Sequence, residues 1–85
     1  MSAPLKIVYL AGLADSLGLR EEHLDLPAGV TDVASLQAWL IARGETWELL
    51  GATSVRLAVN HQLATGTHPL QSGDEVAFFP PVTGG

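Results

Sequence analysis

Residues 5–10, LKIVYL, are apolar at both parities except for Lys6 and rich in β-branched and aromatic side chains. That pattern predicts a strand in the middle of a sheet. Residues 11–20, with Gly12 and Gly18, predict a loop with one helical turn around Asp15, Ser16 and Leu17. Residues 22–26, EHLDL, alternate polar and apolar as a half-buried strand does, and Pro27, Ala28 and Gly29 end it. Val33, Leu36 and Leu40 then recur at helical spacing, with Trp39 and Ile41 widening the apolar stripe. Thr31 or Asp32 can cap this helix, because either side-chain oxygen can accept an orphan backbone N–H. Arg43 suits the negative end of the helix dipole, and Gly44 suits a left-handed stop. Residues 45–54 show no clear period. Residues 55–59, VRLAV, alternate again and predict a third strand with Val55, Leu57 and Val59 facing the core. Asn60, His61 and Gln62 predict a turn, Asn being tolerant of the left-handed conformation. Residues 70–74 predict another turn, before a last strand at residues 75–79, EVAFF.

The order strand, strand, helix, strand, strand predicts an α+β fold, a mixed sheet packed on one main helix. Pairing the first and last strands side by side and parallel would make it a ubiquitin-like β-grasp, but the pattern alone does not supply that pairing. A chain of 85 residues builds one core. We therefore assign residues 1–79 to a single domain and residues 80–85 to an extended C-terminal tail.

The tail, PPVTGG, is the part with a chemical reading. Pro80 and Pro81 fix two φ angles near −65°, which stops the strand and directs the chain away from the body. Gly84 and Gly85 lack a Cβ and can enter a channel too narrow for other residues. Fully extended, residues 80–85 reach roughly 20 Å. A free carboxylate at Gly85 is a resonance-stabilised anion and a poor electrophile, so it must be activated before it can carry a group, most simply as an acyl-adenylate. The chain has no GxxxxGK[ST] loop of its own. ATP is then used by an activating partner, and this chain binds no cofactor.

Composition narrows the alternatives. With no cysteine, disulfides, thiolate metal sites and side-chain persulfides are excluded. Nine acidic against four basic residues give a net charge of −5, whose field repels phosphate backbones and anionic membranes. Neither nucleic acid nor a membrane is expected as a partner; a protein with a basic patch is. The N-terminal apolar run is too short for a leader or a spanning helix, which predicts a cytoplasmic protein. His23, His61 and His68 are read as surface or turn residues rather than a metal site. Asp74 and Glu75 point to opposite strand faces and cannot share acid–base work. Phe78 is expected inside and Phe79 outside, as a partner anchor; Leu63, just after a turn, is either a second anchor or core. With Lys6 as the single lysine, polymeric chains linked through this protein are not expected.

Residues 73–85, GDEVAFFPPVTGG, with the upstream segments Ala58-Val59-Asn60 and His68-Pro69-Leu70, resemble the small subunit of molybdopterin synthase. The N-terminal half is similar to ubiquitin-like sulfur carriers in general. The resemblance implies a β-grasp fold and a cycle centred on Gly85. An adenylating enzyme related to ubiquitin-activating enzymes primes its carboxyl, and a sulfur-donating system converts it to a thiocarboxylate. Pro80, Pro81, Val82, Thr83 and Gly84 then insert into the large synthase subunit, where sulfur passes to cyclic pyranopterin monophosphate. The implied assembly is a heterotetramer of two small and two large subunits, with this chain donating a group rather than side-chain catalysis. A carrier for thiamine or tRNA thiolation, or a ubiquitin-like modifier or interaction module, are the alternative readings.

Overall fold

A computed structural model describes residues 3–52 and 54–80. Eight elements follow in order: β1 (Leu5–Tyr9), α1 (Gly12–Leu17), β2 (Glu21–Leu24), α2 (Val33–Ile41), a 3-10 helix (Glu45–Gly51), β3 (Arg56–Val59), β4 (Gln62–Ala64) and β5 (Glu75–Phe79). The strands form one sheet in the order β2-β1-β5-β3-β4. The two chain-terminal strands, β1 and β5, lie side by side and parallel, with Ile7 opposite Val76 and Tyr9 opposite Phe78. β2 pairs antiparallel with β1, and β3 is antiparallel to both β5 and β4. The expected α+β β-grasp is the architecture found, parallel pairing included.

Alternation decides which side of each strand is dry. Leu5, Ile7 and Tyr9 of β1 and Val76 and Phe78 of β5 are buried, and they meet Val33, Leu36 and Leu40 of α2 in one core. Phe78 is fully buried and stacks on Tyr9, centroids 5.8 Å apart, while Trp47 meets Tyr9 edge-on at 5.6 Å. Burial of such rings supplies several kcal/mol each, about 25 cal/mol for every Å² of apolar surface.

α2 begins where its cap dictates. The Asp32 carboxylate accepts from the Ser35 backbone N–H at 2.8 Å, and the Ser35 hydroxyl accepts from the Asp32 N–H at 3.1 Å. This reciprocal capping box occupies two of the four orphan donors, and the hydrogen bonds from Ser35 hold the Asp32 carboxyl below its ordinary range.

Several sequence expectations need correction. The predicted loop at residues 11–20 contains α1, a helix that seats Leu13 and Ala14 in the core and ends at Gly18, φ 79°. Six residues containing a glycine are too few for a 3.6-residue period to declare itself. The second strand runs Glu21–Leu24 rather than over residues 22–26, because only those four residues find partners on β1. Gln62 belongs to a fifth strand, not to the turn; β4 is three residues long and pairs with β3 through Ala58 opposite Leu63. The turn itself is only Asn60 and His61, both left-handed at φ 50° and 70°, the geometry of a two-residue hairpin. Val55 is buried but precedes β3, and residues 45–51 wind into a 3-10 helix. Gly44 has φ 155° and opens that helix, while α2 ends on right-handed Ala42.

Trp39 does not widen the buried stripe: it is 39% exposed and lies under the Arg43 guanidinium, 5.0 Å from the ring centroid. Arg43 does not serve the helix end either. It donates two hydrogen bonds to Glu22, at 2.8 and 2.9 Å, and covers Trp47 at 4.6 Å. Tyr9 donates its hydroxyl to the same carboxylate at 2.8 Å. Burial alone would raise the Glu22 pKa, but the hydrogen bonds from Arg43 and Tyr9, with the arginine charge, hold it below the carboxylate norm. Desolvation first, then the hydrogen bond to Glu22, pushes the Tyr9 phenol up. Edge strand β2 is thereby fastened to the end of α2 and the 3-10 helix.

Two outcomes follow. Phe78→Ala should lower unfolding free energy by about 3–5 kcal/mol, read from denaturant melts, because it empties the centre of the core. Glu22 has a depressed folded-state pKa, so its contribution is present above its unfolded pKa of 4.5 and lost as pH falls through the folded value. Thermal melts should therefore weaken below about pH 4.5, and Glu22→Gln, costing about 1–2 kcal/mol at neutral pH, should weaken less on acidification.

Candidate functional site

The face of the sheet away from α2 is set by the same alternation that builds the core. Val8 on β1, Ala77 and Phe79 on β5, Ala58 on β3 and Leu63 on β4 share it, as the registers Val8–Ala77, Ala77–Ala58 and Ala58–Leu63 require. Lys6, Glu21, His23, Glu75 and Arg56 complete the face in the same registers. Its centre is apolar and its margin charged. Lys6 lies 4.0 Å from Glu21 and 3.9 Å from Glu75, and His61 lies 3.6 Å from Glu75. These are exposed pairs of little energetic weight.

Phe78 and Phe79 divide as expected: Phe78 is wholly inside, and Phe79 is half-buried on the open face. Leu63, left open between core and surface, is 72% exposed. A large aliphatic side chain held in a regular strand and left in water is a candidate contact residue.

One further residue joins them. Leu10, which the sequence pattern places merely at the end of the first strand, is 40% exposed and its N–H donates to the Phe78 carbonyl at 3.1 Å. It therefore stands directly beside Phe79. With Val8, Ala58 and Ala77 the two line a shallow apolar hollow rimmed by His61 and Glu75. The signal for Leu10 was hidden in a long-range strand register, which no local pattern encodes.

β5 runs straight into Pro80, the last described residue of the tail, which is half-buried. Pro81, Val82, Thr83, Gly84 and Gly85 lie outside the described residues. Asn60 anchors the opposite end of β5. Its side chain donates to Asp74 and accepts from the Glu75 N–H, both at 3.0 Å, and its own N–H donates to the Glu75 carbonyl at 2.8 Å. Asp74 also accepts from the Gln71 N–H at 2.9 Å, so its carboxylate is turn chemistry. His23, His61 and His68 are all exposed and sit in separate parts of the chain. Among the described residues, no group of three acidic or histidine side chains is placed to hold a metal, and no helix is long and apolar enough to cross a membrane.

The chain shares its sequence and its fold with known proteins. The model of the ThiS family matches residues 7–85. The chain belongs to that family. A relative, the molybdopterin synthase sulfur carrier subunit of Escherichia coli, is 37% identical over 82 residues, covering 95% of this chain and 99% of the relative. SAMP1 from Haloferax volcanii superposes with a TM-score of 0.80 at 24% identity, covering 98% of this chain and all of that one. A complex of subunits 1 and 2 of the molybdopterin-converting factor from Helicobacter pylori contains a chain of the same fold. It matches with TM-score 0.67 and 24% identity, covering 96% of this chain and 99% of that one. The ubiquitin-like β-grasp of this ThiS-family member is thus shared with these proteins.

Leu63 of this family member is exposed and lies outside the core cluster. Leu63→Asp should change unfolding free energy by no more than about 1 kcal/mol in denaturant melts, against the several expected for Phe78→Ala.

Proposed function

We propose that this protein is the sulfur carrier of molybdenum cofactor biosynthesis, with residues 1–79 as the docking domain and residues 80–85 as the delivery arm. The observation with most weight is the 37% identity to the E. coli carrier over nearly the full length of both chains. The parallel placement of β5 at the sheet centre supports it, because the strand that leads into the tail is held on both flanks. A root so fixed lets the remaining residues project rather than fold back.

In this reading Gly85 is the reacting residue. Its carboxyl attacks the α-phosphate of ATP inside an adenylating enzyme, forming an acyl-adenylate and releasing pyrophosphate. A sulfur-donating system then supplies sulfur to the acyl carbon, AMP leaves, and a thiocarboxylate remains. Pro80, Pro81, Val82, Thr83 and Gly84 form the segment that enters the large subunit, and Phe79 and Leu63, with Leu10, hold the body at the entrance. Sulfur is the better nucleophile than the oxygen it replaces, and enclosure of the arm keeps water from the thioacid. There the sulfur bonds to a carbon of cyclic pyranopterin monophosphate, with a carbon–oxygen bond of the pterin breaking. Water then cleaves the acyl carbon–sulfur bond, leaving sulfur on the pterin toward the dithiolene that binds molybdenum and a carboxylate on Gly85 for another cycle. The protein contributes a group and an arm; ATP is bound by its partner. The place of action is the cytoplasm.

Removing Gly85 should leave the melting temperature unchanged while abolishing conversion of the pterin precursor in a mixture with the large subunit, adenylating enzyme, ATP and sulfur donor. Retained conversion would refute the role of Gly85, and a large loss of stability would show that the tail is packed rather than projecting. If isopeptide-linked target proteins accumulate instead, the chain is a modifier.

A further inference from the structure

Arg56 begins β3 directly opposite Phe79, on the open face of the sheet. With Leu63 it lines a shallow hollow of mixed apolar and polar wall on the β3–β4 side. It therefore stands between the two residues proposed above as contacts, one strand away from the root of the tail. Of the other cations, Lys6 on β1 lies near Glu21 and Glu75, Arg43 after α2 is held by Glu22, and Arg20 lies off the open face, beside Tyr9. Among the described residues Arg56 has no carboxylate within salt-bridge distance, and it is exposed. In a chain of net charge −5, an exposed guanidinium with no carboxylate beside it, at the end of β3 where the apolar face meets its charged margin, is conspicuous.

Docking would strip water from that guanidinium. A buried charge without a partner opposes association, whereas one met by a carboxylate with bidentate geometry favours it. The requirement is local and opposite in sign to the field of the whole molecule, which favours a basic partner surface. Resting on the carrier reading above, we infer that Arg56 is a specificity-determining residue, and that the large subunit presents an aspartate or glutamate to it beside the entrance that receives the tail. The footprint is then mixed: apolar contacts at Leu10, Leu63 and Phe79, with one acidic group set among them. A related enzyme with an apolar or basic side chain at that point would be rejected, because it would leave Arg56 buried and unpaired.

The test is titration of the purified chain against the large subunit from the same organism, by calorimetry at low and high ionic strength. Arg56→Ala should weaken binding about tenfold and Arg56→Glu about 100-fold or more, while Arg56→Lys, which keeps charge but loses the planar fork, falls between the unsubstituted chain and Arg56→Ala. Melting temperatures should stay nearly unchanged, since the side chain is exposed. Arg20→Glu makes the same change in net charge at a residue paired across from Tyr9, on the other side of the sheet, and should have little effect. A large-subunit variant in which one carboxylate is replaced by lysine should restore binding to Arg56→Glu and to no other variant. Equal losses for Arg20→Glu and Arg56→Glu would overturn the inference, showing that only net charge matters. Unchanged binding by Arg56→Glu, with Leu63→Asp still impaired, would overturn it and leave the carrier reading standing. No binding by the unsubstituted chain would overturn both.

Discussion

Parallel pairing of β1 with β5 is the constraint on which the rest depends. It brings the two ends of the sequence together at the centre of the sheet, with Tyr9 beside Phe78 in the core and Leu10 beside Phe79 at the rim. A central strand cannot shift register without moving its whole buried set to the wrong face. The direction in which the chain leaves the domain at Pro80 is therefore as well determined as the core itself. In the proposed carrier role, that direction is what would make Gly85 deliverable.

The same pleat separates stability from recognition. Odd-numbered β1 residues and even-numbered β5 residues build the core, while their neighbours build a half-buried open face. The Tyr9–Glu22–Arg43 network adds a second level of order at the other edge. It ties β2 to the end of α2 and the 3-10 helix through one carboxylate, away from the open face. Arg43 is thus consumed by structure while Arg56 is left available, although the two are the same residue type.

Much of this was legible in the residues. The alternation of EVAFF assigns Phe78 to the core and Phe79 to the surface, and the Asp32 cap and the Val33, Leu36, Leu40 stripe locate α2 within a residue or two. What local pattern could not show was anything that depends on distant partners. β4 is too short for a period and exists because β3 offers it a ladder. Leu10 becomes part of the open face only through a parallel register spanning nearly the whole chain. Arg43 reads as a helix-end cation until Glu22, 21 positions earlier in sequence, is brought to it. The role proposed for Gly85 rests on tail chemistry together with family resemblance, not on periodicity.

Intact-mass analysis of the protein isolated from cells grown with ample sulfur tests the central claim most directly. The expected result is a species heavier by the difference between sulfur and oxygen, with the gain localised by fragmentation to Gly85. A population wholly unmodified at that residue, or joined through it to lysines of other proteins, would contradict it.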